Sequence, residues 1–566
     1  MARYVFRNGA LRRSDVTDPS PHAGRQGGAA RRIEGAASAN PRAMGDRSWQ
    51  YTLSQGAVFV STGDKFLFGW TAPASGNPVV VERAWGPARE YLQISPVLSP
   101  SVSAWGDKIG QNRTAYYRVQ EVRPDGTRAT IAAWTGTQGA RSGVLTNTLT
   151  ISAGGTYSGL TIVISTPHAV PTNFGSPSTP APPAIKITTT EAVTLQDIFI
   201  ECTGDAIQCT NLNHVTMRGV VAQQLHPGAA NSGPGTFFYA YRPTYIDLQH
   251  CHTDGFNFGY SLNGDGKDGS GNAKNVGMLT YLRMIGLRAF NLLNAQTDTA
   301  TTYNMDDIPN AASNTQGNPL YGQDHRYKPA GHFIQISLAY GIQDGEIAWC
   351  EYWGEPGQSS LEDAMSLYSS GGTPSKPILV HDNMVRGMYI RSPQTGWASG
   401  CAFILDGNSP NDHPEYNGNQ KWYGNVALDI TNVGFGFYYG TGVEVYGNRC
   451  VTTGFLPDGT TPIAGANTGM AGYADEANGF KNFNFHDNYL WYWRCKNGQY
   501  NNTNADQASP QYIIAGDGVA DSSGNVKTNV ITPAGRPGRA DIVAEHRAWH
   551  ERKASAGAYS GWYAPA

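Results

Sequence analysis

Through the middle of the chain, short apolar pairs recur with one residue between their members. They fit neither a helical face nor one long alternating strand. In GDAIQCTNLNHVTMRG (Gly204 to Gly219), Ile207-x-Cys209 and Val215-x-Met217 are separated by Thr-Asn-Leu-Asn-His. Displaced upstream by 22 residues, Ile185-x-Ile187 followed by Val193-x-Leu195 and Ile198 repeats the layout. A fixed displacement of this size marks a stacked coil, in which no unit buries its apolar face alone and each covers the next. The pattern breaks where one sheet of a solenoid turns into the next.

From about residue 145 to 495 the layout recurs with insertions. The spacing predicts first strands at Phe238-x-Ala240, Phe256-x-Phe258, Ile334-x-Ile336, Met365-x-Leu367, Phe403-x-Leu405 and Phe435-x-Phe437. Second strands open eight residues later at Val193, Val215, Ile246, Ile342 and Val443. Elsewhere the offset grows, as from Phe256 to Leu282 across NGDGKDGSGNAKN, which predicts a projecting loop. Three later coils share Ile378-x-Val380-x-x-Asn383, Val443-x-Val445-x-x-Asn448 and Phe483-x-Phe485-x-x-Asn488. Asparagine tolerates the left-handed region, and its amide can bond its equivalents above and below, so these positions predict a ladder.

This repeating coil resembles the right-handed parallel β-helix proteins of the pectate-lyase-like superfamily. The resemblance implies an all-β, right-handed parallel solenoid whose flank serves long polysaccharides, in lyases, hydrolases, epimerases or phage tailspikes. Around it the chain divides into a basic arm (1–47), a small β domain (48–140), the β-helix (141–495) and a C-terminal loop and tail (496–566). The arm has nine arginines, four acidic residues and no lysine, the composition of a segment that orders against a partner. In the second part, Tyr117, Val119 and Glu121 alternate before Pro124-Asp125-Gly126, a strand running into a hairpin. Trp70, Pro73 and YYRVQEV there resemble a fibronectin type III-like sandwich. In the tail, Ile542 and Trp549 lie seven residues apart in a short helix over 540–554, a cap or lashing for the solenoid.

Composition narrows the function classes. A formal net charge of −3 gives no overall drive toward nucleic acid or anionic membrane. No apolar run reaches the roughly 18 residues of a membrane span. The N-terminus lacks the apolar stretch of a signal peptide, which fits a virion protein assembled in a cytoplasm. Seven scattered cysteines, an odd number, read as buried thiols rather than a disulfide framework.

Candidate chemistry lies in acids two residues ahead of first-strand apolar positions: Asp205, Asp254 and Asp363. With coils ~4.8 Å apart, Asp205 and Asp254 would stand roughly 10 Å apart, near the separation at which an inverting glycosidase admits a water. EDAMSL resembles the Asp-Asp-apolar turn of the polygalacturonase family, and its acid pair falls on Glu362 and Asp363. The chain departs from that family in lacking its glycine- and histidine-containing motif and its Arg-x-Lys motif. Catalysis is therefore expected from Asp254, Glu362 and Asp363, with Glu351, Glu355 and Asp406 as loop alternatives. Trp349, Tyr352, Trp353 and Trp397 are the expected sugar platforms. GDGKDG (Gly264 to Gly269) is not placed between strand and helix for phosphate, and Lys267 spoils it as a calcium loop. His250 and His252 flank an inward Cys251 and cannot readily converge, so no metal and no cofactor is expected.

Together these features read as a tailspike-like or virion surface β-helix that binds, and in the enzymatic reading depolymerises, a cell-surface polysaccharide. The alternatives are an exported bacterial polysaccharide lyase or hydrolase and a non-catalytic adhesive fibre. The expected location is virion or extracellular, and the expected partners are the glycan and a particle or multimer, such as a homotrimer, joined through the arm. Deleting residues 1–47 should leave a folded β-helix that no longer enters its particle or multimer, as checked by light scattering and incorporation assays. Unaltered assembly would remove the arm's role.

Overall fold

A computed structural model describes residues 3–7, 10–14, 42–44, 48–52, 58–62, 65–84, 91–95, 97–107, 114–137, 144–165, 182–210, 212–225, 235–268, 270–292, 331–356, 359, 361–389, 400–407, 417–461, 463, 468–472, 480–494, 507–508, 511–556 and 558; up to residue 68 only strand positions are given. The chain forms two units, one of residues 1–144 with 550–566 and one of 145–549.

In the first unit, Arg3–Arg7 pairs antiparallel with Ala10–Ser14, so a hairpin lies within the segment expected to be an arm. A five-stranded sheet orders Arg42–Met44, Ser48–Thr52, Val58–Thr62, Lys65–Gly69 and Ala104–Asp107, which starts the β domain before residue 48. A four-stranded sheet orders Arg128–Thr137, Thr114–Val122, Val79–Ala84 and Leu92–Gln93. Trp70, Val79, Val81, Trp105, Tyr117, Val119 and Trp134 share one core. The expected hairpin forms: Gly126 takes φ 77°, and the Asp125 carboxylate accepts from the Thr127 amide at 2.9 Å.

The second unit is a right-handed parallel β-helix of three sheets. Sheet 1 has eleven strands, from Leu149–Ile151 to Gln511–Ile513. Sheet 2 opens with Gly155–Ser158 and sheet 3 with Val144–Leu145 and Thr161–Ile164, each with twelve strands. Coils pair in parallel; Gln507–Ala508, antiparallel to Tyr489–Arg494, is an exception at the end of sheet 3. The solenoid runs past the expected end at 495, because Gln511–Ile513 and Val526–Thr528 still add to sheets 1 and 2.

Its core is a set of columns. Ile185, Ile207, Phe238, Tyr260 and Ile334 stack in sheet 1, and Val193, Val215, Ile246 and Leu282 stack in sheet 2. Each fully buried Ile, Val, Leu or Phe contributes about 1.5–3 kcal/mol, so every added coil deepens the stability. Two expected registers shift. The sheet 1 strand after Asp254 is Phe258–Asn263 with Tyr260, not Phe256, in the column. Ile342 is buried but precedes its strand, Gly345–Ala348, where Gly345 pairs with Leu282.

The turn from sheet 2 to sheet 3 takes two residues in each of ten coils, and after the opening Gly159–Leu160, where Leu160 is only partly buried, nine share one pattern. The first is left-handed: Asp197, Gly219, His250, Gly286, Trp349, Asp382, Gly424, Gly447 and Asp487, with φ between 51° and 62° or 64° at Gly424. The second points inward: Ile198, Val220, Cys251, Leu287, Cys350, Asn383, Asn425, Asn448 and Asn488, all fully buried. The left-handed residue is thus the one before each asparagine, not the asparagine itself as its tolerance suggests. The four asparagines form the expected ladder, with Asn425 as an added rung. Asn383 Nδ2 donates to Asn425 Oδ1 at 3.0 Å, Asn425 to Asn448 at 3.0 Å and Asn448 to Asn488 at 3.1 Å. Each Oδ1 also accepts the amide N–H of the preceding rung, which points into the core.

The C-terminal helix, Arg539–Ser555, is the expected lashing element. Ile542 and Trp549 pack with Met384, Val426, Leu428 and Val451 on the outer face of sheet 3. Trp549 Nε1 donates to the Asp382 carbonyl at 2.8 Å, and Arg449 pairs with Glu545.

Asn448→Ala strips a buried acceptor from two N–H groups of Asn425, and should lower unfolding free energy by about 3 kcal/mol in a denaturant titration. Asn448→Asp should cost more, since a carboxylate cannot donate and adds an unpaired buried charge. A change below about 0.5 kcal/mol in the alanine variant would show that the ladder adds little.

Candidate functional site

Sheet 1 carries an irregularity repeated coil after coil. The pairing registers pass from Thr236↔Phe258 to Phe238↔Tyr260, from His332↔Asp363 to Ile334↔Met365, and from Asp363↔Cys401 to Met365↔Phe403. The skipped Phe237, Phe333, Ala364 and Ala402 are fully buried in the core, as are their successors. Two adjacent residues thus face inward, and the residue before them is turned out, as in a bulge. The outward column runs Thr236, Phe258, His332, Asp363, Cys401, Val433 and Thr468 along the opening rim of sheet 1. Asp205, two residues before Ile207, begins it.

On this rim the structure brings together Glu362, Asp363 and His332. His332 Nε2 lies 3.8 Å from Glu362 Oε2, and Nδ1 lies 3.9 Å from Asp363 Oδ2. These distances are within reach of charge interaction but longer than a hydrogen bond. The imidazole is 5% exposed, the Glu362 carboxylate 22% and the Asp363 carboxylate 15%. A buried ring therefore backs two carboxylates that meet solvent. The Phe258 ring lies against His332 at 5.7 Å between centroids. Glu362 is pinned by its backbone, its amide donating to Gly331 O and its carbonyl accepting from Gly400 and Cys401. Below Asp363, burial first and then the Asp363 charge push the Cys401 thiol well above its ordinary pKa. Farther along the rim, burial raises the carboxyl of Asp205, opposed by the Thr236 amide it accepts from at 2.7 Å.

The connections from sheet 3 to sheet 1 arrive at this rim, and they include the longest insert between the β-helix strands, residues 291–331, which leads to His332, and residues 389–400, which lead to Cys401. The arrangement offers two solvent-reaching carboxyl groups and an imidazole in contact range of both.

Other expected site residues lie elsewhere. Asp254 closes the strand His252–Asp254 of sheet 3 and is buried, because the register places Tyr260 rather than Phe256 in the sheet 1 column. It sits two coils from Asp363, about 10 Å along the axis at ~4.8 Å per coil. Tyr352 is the inward middle residue of Glu351–Trp353, fully buried in the core, and offers no face to a sugar. Trp349 occupies the sheet 2 to sheet 3 turn, away from the rim, with Trp549 of the C-terminal helix at 6.4 Å. Trp353 faces outward from sheet 3, but the Arg386 guanidinium covers its ring at 4.1 Å and His546 meets it at 4.9 Å. Trp397 lies outside the described residues. Glu351 is buried with Arg288 at 3.1 Å, and Glu355 exchanges hydrogen bonds with Asn291. Asp406 ends its sheet 1 strand beside Tyr368 and accepts from the Gly407 amide at 2.7 Å. His250 is left-handed, Cys251 inward and His252 outward, so that trio does not converge.

The sequence did not single out His332, and it placed Phe258 in the inward pair Phe256-x-Phe258 rather than on the rim. His332 had a usable signal, since it precedes Ile334 by the same two residues that separate Asp363 from Met365.

Native protein at pH 8 should resist iodoacetamide at all six described cysteines, which are buried, and Cys401 should label only after denaturation, as read by peptide mass spectrometry. Labelling of Cys401 in folded protein would show that the rim opens down to the thiol.

No protein-family model matches the chain, and no curated protein is similar to it at a significant level. Among solved structures, it is similar to a pectate lyase from Pectobacterium carotovorum, at 13% identity over 58% of this chain and 84% of that one, with a TM-score of 0.21. It is also similar to a pectate lyase from Erwinia chrysanthemi solved in complex with tetragalacturonic acid, at 10% identity over 84% of this chain and 99% of that one, with a TM-score of 0.14. At these identities no residue of either enzyme is carried onto this chain.

Proposed function

We propose that this chain binds a polysaccharide along the sheet 1 rim and hydrolyses it, with Glu362 and Asp363 as acid and base and His332 as their positioning partner. The observation that supports this reading is the meeting of two solvent-reaching carboxylates with one buried imidazole. Glycoside hydrolysis asks two carboxyl groups to hold different protonation states at one pH. An imidazole in contact range of both carboxyl groups is placed to orient them for those two roles. A long flank of equivalent coils suits a polymer better than a small molecule.

The setting we propose is a tailspike-like virion protein, or a related multimer such as a homotrimer, attached through residues 1–47. The arginine-rich composition of that segment supports this. An exported bacterial enzyme uses the same rim in the same way. An adhesive fibre uses it without turnover.

Glu362→Gln and Asp363→Asn should each lower turnover at least about a hundredfold, the usual scale of a general acid or base, with little change in melting temperature. Asp254→Asn, two coils away, should keep most activity. The measurement is release of reducing ends from a panel of cell-surface polysaccharides. Full activity in both rim variants would move the site, and tight binding without any turnover by the unmutated protein would favour the fibre.

A further inference from the structure

The charge on the sheet 1 face narrows the substrate, provided the proposed site is the working one. Its eleven strands carry four charged or imidazole side chains: Lys186, His332, Asp363 and Asp406. None of these strands contains an arginine. Lys186 lies on the second coil, five coils from Ser366 in the same column, or about 24 Å at ~4.8 Å per coil. Just outside the strands, Asp205 and Glu362 add two more acids to the rim. Arg242 stands at the far end of its strand, at the turn toward sheet 2, and Lys274 in the neighbouring loop is paired with Asp265 at 2.9 Å.

The other two sheets are different. Sheet 2 strands carry Arg218, Arg283, Lys421, Lys481 and Lys527, and sheet 3 strands carry Arg288, Arg386, Arg449 and Arg494. The scarcity of cations is thus a property of the sheet 1 strands, not of every sheet.

What that face presents instead is neutral. One outward column holds Gln208, Tyr239, Ser261 and Gln335, and the next holds Tyr241, Asn263, Ser337 and Tyr368, all partly exposed. Amides and hydroxyls both donate and accept, which matches sugar hydroxyls, and the phenol rings add apolar area for sugar C–H faces.

We infer that the glycan taken by this site is uncharged, built of neutral or N-acetylated sugars, rather than a polyuronate. An acidic polymer would set one carboxylate per sugar against Glu362, Asp363, Asp205 and Asp406 with no guanidinium among the described sheet 1 strands to receive it, and like charges across an interface are costly. The inference also fixes the reaction class. β-Elimination needs a carboxylate on the sugar to acidify the proton that leaves, and a neutral sugar has none. In hydrolysis the glycosidic C–O bond breaks, and the leaving oxygen takes a proton from one carboxylic acid. A water gives its oxygen to the anomeric carbon and its proton to the other carboxylate.

The test uses the full-length Asp363→Asn protein, which should bind without cutting. Its affinity is measured calorimetrically for neutral glucans, galactomannans and N-acetylated heteroglycans, and for polygalacturonate and alginate, each at low and high salt. A neutral polymer should bind with an affinity that changes less than about twofold with salt, and at least tenfold more tightly than either polyuronate. Tyr368→Ala with Gln335→Ala should weaken that binding about tenfold. Tighter, salt-sensitive binding of a polyuronate, with turnover of it by the unmutated protein, would overturn the inference and leave the proposed site standing. Unchanged neutral binding in the double variant would place the glycan on another face and overturn it too. If no polymer is bound or cut, the proposed function fails, and this inference with it.

Discussion

The fold depends on one turn. Each time the chain passes from sheet 2 to sheet 3 it does so in two residues, the first left-handed and, in every coil after the opening one, the second fully buried. The left-handed residue points its N–H along the solenoid axis, so that His250 reaches Ile285 O at 2.9 Å and Asp382 reaches Tyr423 O at 3.0 Å. The following N–H is left pointing into the core, where no backbone acceptor waits. In the later coils asparagine resolves this by supplying both an acceptor for that N–H and a donor for the coil before, as Asn425 Nδ2 does to Val380 O at 2.9 Å. A buried polar group satisfied on every side holds its place sharply, because any displacement exposes the full cost of unpaired groups. This corner is therefore the rail on which the coils are threaded, and it keeps one length in all ten described coils.

Variation is displaced to the other two corners. Inserts enter between sheets 1 and 2, as at residues 264–280, and between sheets 3 and 1, as at 291–331. Because the invariant corner fixes the axial position of each coil, these insertions leave the columns of sheet 1 in register. That is how His332, reached only after the long insert, still lands directly between Phe258 and Asp363. The outward bulge column then converts equal spacing in the sequence into a line of side chains at one rim. Glu362, Asp363 and His332 come together through two coils of pairing rather than through any local motif.

This explains which parts were legible in the sequence. Inward columns read directly, because apolar alternation is a local pattern and Ile185, Ile207, Val193 and Val215 repeat at a constant spacing. Asn383, Asn448 and Asn488 read because two apolar residues stand before each at a fixed distance. Asn425 was hidden by Gln420 and Trp422 in the corresponding places, although Trp422 Nε1 is buried with Gln420 Oε1 at 2.7 Å and serves the same core. The coil after Asp254 misread because the bulge sets two adjacent residues inward, so Phe256 could pass for the column residue that is Tyr260. Tryptophans were poor guides for a related reason. An aromatic residue in a solenoid is distinguished by the parity of its position in the strand, and parity follows only from pairing.

The same logic separates chemistry from support among the charged residues. Glu351, Trp353 and Asp254 have the composition of a site, yet all lie on sheet 3 and are buried. On that face Arg288 meets Glu351, Arg386 stacks on Trp353 and donates toward His546 at 3.0 Å, and Arg449 holds Glu545 of the C-terminal helix. Charges that fasten a helix to a sheet must be paired and shielded, whereas charges that move protons to a polymer must keep one side open to it. Sheet 2 follows a third pattern: His381, Tyr423, Tyr446 and His486 stack ring on ring in successive coils, with Glu346 and Asp382 holding the His381 imidazole protonated to about 9 against the opposing effect of burial. In that stack the two tyrosine rings have both faces covered by their neighbours. Sheet 2 also has partly exposed carboxylates, but Arg283 meets Glu346 at 3.3 Å and Lys421 meets Glu444 at 2.8 Å, whereas the sheet 1 strands hold no arginine and set Asp363 beside partly exposed hydroxyl and amide columns, which is why sheet 1 is the face on which we propose that a sugar chain lies.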